Sequence, residues 1–151
     1  MTARQLPVRA LVRQEQNGYS NLVLDAELKK CSPALQPRDA AFAARIFYTT
    51  LERQNLLDWM LAQTCSQPLQ KLDAPVRAVL RAGLAQAVFM AVPLPAAVNE
   101  SVKLTRVFGK SSASGMVNAV LRRAAALHPD AGAWPDLTDR LETFYSMSRP
   151  V

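Results

Sequence analysis

Asn99, Lys103 and Arg106 are spaced by four and by three, so on a helix turning about 100° per residue they share one face. Lys110 continues the line just past Gly109. The opposite side of the same segment collects Ala97, Val98, Ser101, Val102, Leu104, Thr105 and Phe108, an apolar stripe able to face a core. A second segment follows and ends in Arg122 and Arg123. On it Asn118 and Arg122 lie four apart, opposite Met116, Val117, Val120, Leu121, Ala124 and Leu127. Near the start of the chain Arg9 and Arg13 repeat the spacing of four, with Arg4 just upstream. Guanidinium and ammonium groups lined up on one side of a helix do one kind of chemistry well: they neutralise phosphates and displace their counterions. Two other roles stay open for the same residues. The arginines fit a solvated helix edge, and Asn99, Glu100 and Asn118 fit polar contacts that lock the two helices together.

Charge is distributed unevenly. The net charge of +6 over 151 residues is matched by residues 74–129 alone, where Arg77, Arg81, Lys103, Arg106, Lys110, Arg122 and Arg123 face only Glu100. Such a concentration is an electrostatic footprint for a polyanion, and nucleic acid is the commonest cytoplasmic one.

The same inventory excludes several classes of function. A dinucleotide or methyl-donor site wants a strand followed by a glycine-rich turn, and the five glycines are scattered. His128 is the only histidine and sits at a helix end before Pro129, so no catalytic base is available. Thr64-Cys65-Ser66 contains a potential nucleophile without a partner, and Cys31 and Cys65 form no metal-binding spacing. Neither a catalytic nor a metal site is expected. No apolar run reaches the ~20 residues of a membrane span, and MTARQLPVRALVRQ lacks the apolar block of a signal peptide. A cytoplasmic domain with no membrane partner is expected.

The elements that position these residues are all helical. Punctuation predicts helices from Leu6 to Gln16, from a Ser20 cap to Lys30, from Pro37 to about Arg53, and from an Asn55 cap through Leu61. A fifth is capped by Asp73 and runs to Met90, apolar almost all round except at Arg77, Arg81 and Gln86, which predicts a central position. The Pro93–Pro95 loop opens the sixth, and the serines at 111, 112 and 114 open a seventh that ends near His128-Pro129. Residues 1–129 read as one domain. Residues 130–151, with a weak helix from Thr138 to Tyr145, read as a tail or the start of a linker.

The order of three segments, DAAFAARIFYTTLERQNLLDWML, KLDAPVRAVLRAGLAQAVFMAVPLPAAVNESVKLTR and SASGMVNAVLRR, resembles the NusB family. More closely it resembles the NusB-like N-terminal domain of the RsmB (Sun/Fmu) ribosomal-RNA cytosine-5 methyltransferases, over roughly Val8 to Arg123. The chain departs from the family pattern at Thr49, Glu52 and Ala85, where glycine, arginine and tyrosine are usual. The resemblance implies an all-α, NusB-like bundle of about seven helices in two packed three-helix halves. It also implies an accessory role: binding small-subunit ribosomal RNA for a separate C-terminal methyltransferase domain, where S-adenosylmethionine would bind. No cofactor is expected in this chain. The alternatives are a free-standing antitermination factor of the NusB type, acting with a ribosomal protein, and a protein-interaction module that holds the catalytic domain. The residues expected to meet RNA are Arg4, Arg9, Arg13, Asn99, Lys103, Arg106, Lys110, Asn118, Arg122 and Arg123.

Overall fold

Prolines open three of the helices, at positions where a missing N–H costs little and a fixed φ suits the first turn. Pro37 starts α3 (Pro37–Glu52), Pro75 lies in the first turn of α5 (Ala74–Phe89), and Pro95 does the same in α6 (Leu94–Val107). The remaining helices are α1 (Gln5–Asn17), α2 (Ser20–Lys30), α4 (Gln54–Ala62) and α7 (Ser114–Ala125), with short 3₁₀ turns at Leu69–Lys71 and Ser111–Ala113. This computed structural model describes residues 1–127. His128, Trp134 and the helix expected at Thr138–Tyr145 lie outside the described residues.

Helix ends differ from the expected caps. Tyr19, not Ser20, precedes α2, and Asn55 lies inside α4, because Arg53 both ends α3 and starts α4. Asp73 does precede α5, but its carboxylate meets Lys110 Nζ at 3.0 Å instead of capping the backbone. The serine cluster splits: the 3₁₀ turn takes Ser111 and Ser112, while the Ser114 hydroxyl lies 2.7 Å from Thr105 Oγ1 and joins the start of α7 to the end of α6. Gly109, at φ 70°, makes the reversal between them in a conformation that L side chains rarely adopt. α7 ends at Ala125, earlier than its apolar periodicity suggests.

Helices α1, α2 and α3 pack on one another, α6 and α7 form a second group, and α5 touches members of both while α4 closes against α5 and α7. The apolar circumference of α5 is thereby satisfied: from Val76 to Gln86 every residue except Arg77 and Arg81 is buried. Gln86, a polar exception to the apolar circumference, is inside as well. It donates to Ala82 O at 3.1 Å and accepts from Arg4 Nε at 2.7 Å. The single core draws on every helix, with Leu6, Val8, Ile46, Phe47, Leu56, Leu57, Met60, Leu61, Leu84, Val98 and Val117 fully buried.

The two arginines of α5 are held rather than displayed. Arg77 grips Glu15 of α1 through Nε and Nη2, both at 2.8 Å, and its Nη1 donates to the carbonyls of Leu69 and Leu72 at 3.1 and 2.6 Å. Arg81 grips Asp58 of α4 at 2.7 and 2.9 Å and reaches Glu15 at 2.8 Å. Three helices are tied by this one network, whose paired two-point contacts are the strong geometry for arginine and carboxylate. The Arg77 hydrogen bond holds the Glu15 carboxyl below the usual carboxylate range; partial burial opposes this, and the charges of Arg77 and Arg81 reinforce it.

A depressed folded-state carboxyl contributes stability that is present above its unfolded value and lost as pH falls through the folded one. Glu15→Gln should therefore lower stability at neutral pH, by about 1 kcal/mol given partial exposure. The gap from wild type should close as pH drops below the ordinary carboxylate range, as urea titrations across pH would show. A second expectation concerns the crossing of α5 with α6 and α7. A Cβ at Gly83 would clash with Ser101 Oγ and come within 3.0 Å of Leu121 Cδ1. Gly83→Ala should destabilise by roughly 1–2 kcal/mol, overpacking outweighing the gain in helix propensity. Ser101→Ala in the same chain should recover part of that loss, which a double-mutant cycle would measure.

Candidate nucleic-acid interface

The α6 stripe forms as its periodicity requires. Ala97, Val98, Ser101, Leu104 and Thr105 are buried, and Asn99, Lys103 and Arg106 are exposed on the other side. Lys103 is 69% exposed and has only a long contact, 3.6 Å, to Glu100 one turn back. Arg106 has no hydrogen bond or ion pair among the described residues. On α7 the buried stripe is Val117, Val120, Leu121 and Ala124, which leaves Arg122 and Arg123 outward. Arg122 Nε donates to Asn118 Oδ1 at 2.8 Å within the helix, so Asn118 orients an arginine and does not bind a neighbouring helix. Asn99 is exposed as well, and the lock between α6 and α7 is the Thr105–Ser114 hydroxyl pair, not the asparagines.

The two helices run antiparallel. Thr105 meets Ser114 at one level, and Ser101 and Leu121 meet the same point on α5 at another. Arg122 and Arg123 therefore lie level with the first half of α6, and four outward cations, Lys103, Arg106, Arg122 and Arg123, belong to one two-helix layer.

The other expected residues have partners inside the protein. Arg4 hydrogen-bonds buried Gln86 and lies 5.2 Å over the Phe42 ring, a packing role in which its charge faces an aromatic surface. Arg13 Nη1 donates to Glu27 Oε1 at 2.8 Å, and Arg9 Nε lies 3.8 Å from Glu27 Oε2. Lys110 is pulled off the α6 line by Asp73. These four differ from the α6–α7 cations in having such internal partners. Exposed cations outside the expected set are Lys29, Lys30, Lys71, and Arg38 and Arg45, the last two seven apart on α3, opposite its buried Ala43, Ile46, Phe47 and Thr50. The periodicity that marks Lys103 and Arg106 marks Arg38 and Arg45 equally.

Beside the α6 stripe lies a cavity of about 520 Å³, lined by Met1, Thr2, Arg4, Asp39, Phe42 and Glu100 among others. The cysteines offer little chemistry. Cys31 is buried with Sγ 3.5 Å from Pro33 O, and burial pushes the Cys65 thiol up, away from the reactive thiolate. Among the described residues no group of three or more His, Cys, Asp or Glu side chains is placed to hold a metal ion, and no helix is long and apolar enough to cross a membrane.

Known proteins share both sequence and architecture with this chain. It is 40% identical over 118 residues to the ribosomal RNA small subunit methyltransferase B of Xanthomonas campestris, covering 74% of this chain and 27% of that protein. To the probable ribosomal RNA small subunit methyltransferase B of Bacillus subtilis it is 32% identical over 123 residues, again 27% of that protein. The chain thus spans about a quarter of the length of these relatives. To the transcription antitermination protein NusB of Halorhodospira halophila it is 31% identical over 125 residues, covering 82% of this chain and 79% of that one. Among solved structures, antitermination factors NusB and NusE in complex with dsRNA include a chain that superposes with a TM-score of 0.76 at 18% identity, over 83% of this chain and 95% of that one. T. maritima NusB gives 0.74 at 19% identity, over 95% and 94%. Such low identities speak for the fold, and the fold agrees. The NusB family description matches residues 1–126, and on that match the chain belongs to the NusB family.

Proposed function

We propose that this chain is the RNA-binding accessory domain of a small-subunit ribosomal-RNA cytosine-5 methyltransferase. In this reading it docks RNA for a separate catalytic domain, which binds S-adenosylmethionine and carries out methyl transfer. The observation that carries the reading is the α6–α7 layer, where Lys103, Arg106, Arg122 and Arg123 face outward and, among the described residues, only Lys103 has an acidic partner, Glu100 at 3.6 Å. Cations without a tight internal ion pair are available to phosphates, and each phosphate contact releases counterions. Asn99 adds a hydrogen-bonding amide on the same face, and Arg38 and Arg45 add two cations on α3. The methyltransferase relatives support the ribosomal substrate. A second reading, a free-standing antitermination factor, is supported by the Halorhodospira relative, most of whose length this chain matches. Binding to small-subunit ribosomal RNA fragments, compared with a leader RNA presented together with a ribosomal protein, separates the two.

With about four phosphate contacts to single-stranded RNA, the log–log slope of affinity against salt should be roughly −3. Removing charge at Lys103 or Arg106 should flatten it by about 0.7 each, while costing no more than about 0.5 kcal/mol of stability. Arg13→Gln should behave in the opposite way: an unchanged salt slope, with lower stability because Glu27 loses its hydrogen bond. Fluorescence anisotropy at several salt concentrations measures the slopes, and urea titration measures the stabilities. A flat salt dependence in the wild-type chain would instead favour a protein-interaction role for this surface.

A further inference from the structure

The cavity of about 520 Å³ beside the α6 stripe has the size of a site for a small aromatic ligand. It opens where the residues preceding α1 meet the start of α3 and the middle of α6. One side is a fixed plane. The Arg4 guanidinium lies 5.2 Å over the Phe42 ring, and its Nε is tied to buried Gln86 at 2.7 Å, so the plane is set before any ligand arrives. Asp39 of α3 and Glu100 of α6 bring carboxylates to the same cavity. The Asp39 carboxylate has no hydrogen bond or ion pair among the described residues, and Glu100 has only its 3.6 Å contact to Lys103. Both side chains are partly exposed, so a donor can reach them. Outward cations flank the opening: Arg38 is the neighbour of Asp39 in sequence, and Lys103 lies one turn from Glu100.

We propose that this cavity takes a guanine base, turned out of single-stranded RNA whose phosphates meet the flanking cations. The inference rests on the RNA reading of the α6–α7 surface and adds a base-reading site beside it. Proteins read unpaired RNA by stacking a base on an aromatic or guanidinium plane and hydrogen-bonding its edge. The Arg4–Phe42 pair supplies the plane, and a carboxylate supplies the hydrogen-bonding partner. An ionised carboxylate only accepts, with two oxygens side by side. Guanine alone among the four bases shows two adjacent donors on its Watson–Crick edge, N1–H and the N2 amino group. Adenine and cytosine set an acceptor nitrogen beside their amino group, and uracil flanks its N3–H with two carbonyls. Each of these would turn a lone pair toward the carboxylate. Asp39 is the acceptor assigned, because Glu100 is already drawn to Lys103. A metal ion is a poorer occupant, since no three His, Cys, Asp or Glu groups converge among the described residues. A lysine or arginine side chain would enter beside Arg4, with Arg38 and Lys103 at the opening.

Short uridine oligonucleotides with and without one central guanosine, compared by fluorescence anisotropy on the 151-residue chain, test this. The guanosine should tighten binding at least about fivefold, and inosine in its place, lacking the N2 amino group, should lose most of that gain. Asp39→Asn should remove the guanosine preference while the helical circular dichroism stays unchanged. Without a base site, losing that negative charge would tighten both RNAs alike. Glu100→Gln, which loses a charge but not the assigned acceptor, should tighten both and keep the preference. Neutral guanosine at about 1 mM should also shift the amide NMR signals of Asp39 and Phe42, a readout independent of phosphate binding. Equal affinities for the two oligonucleotides, or a preference that survives in Asp39→Asn, overturn the proposal; a steep salt dependence in that case leaves the RNA reading standing. Guanosine shifts without affinity for either oligonucleotide would keep the base site and remove the RNA reading instead. Shifts from N-acetylarginine amide at these residues, with none from guanosine, would overturn it in favour of a basic peptide.

Discussion

The fold depends on one helix being surrounded. α5 touches α1, α3, α4, α6 and α7, and at Gly83 the missing Cβ makes room for Ser101 and Leu121. A helix buried on almost every side cannot leave a charge unpaired, because a desolvated guanidinium without a partner costs far more than an exposed one. Arg77 and Arg81 are accordingly fixed by Glu15 and Asp58, and the ion pairs that result also tie α1 and α4 to α5. The basic middle of the chain thus contains two populations. Arginines on the central helix are structural, and cations on α6 and α7 are displayed.

That division was only half legible in the sequence. The displayed half follows from periodicity, since the side chains of a helix packed on one face are sorted by angle alone; Lys103 and Arg106 were placed outward for this reason and are outward. The structural half depends on partners far along the chain. Glu15 lies 62 residues from Arg77, and Gln86 lies 82 from Arg4, separations at which no local rule pairs side chains. Arg9 and Arg13 show the same limit. Their spacing of four matched a phosphate-reading face, and only the packing of α2 brings Glu27 between them.

Helix identity was easier to read than helix ends. Seven helices were expected, and seven α-helices occur among the described residues. Two expected caps went unused because the polar side chain found another partner: Asp73, which still precedes α5, took Lys110, and Ser114 took Thr105. At the end of α5 the chain turns through Ala91 at φ 55°, a conformation usually given to glycine, so composition held no signal for that turn. Local capping rules were overridden by tertiary contacts in each of the first two cases.

The placement of acidic residues explains why a displayed surface exists at all. Glu15, Glu27 and Asp58 each engage a cation on another helix and Asp73 engages Lys110 in the turn after α6, while the α6–α7 layer carries Glu100 alone. Those four acidic side chains join elements, whereas the last two helices are joined by apolar stripes and a pair of hydroxyls. The positive face is thus a consequence of how the bundle is held together. Because its cations bear no packing load, they can meet a phosphate without loosening the core, and they can change in number or position without unfolding the domain. A family that joins one helical scaffold to proteins of very different length has use for a surface independent of the scaffold in this way.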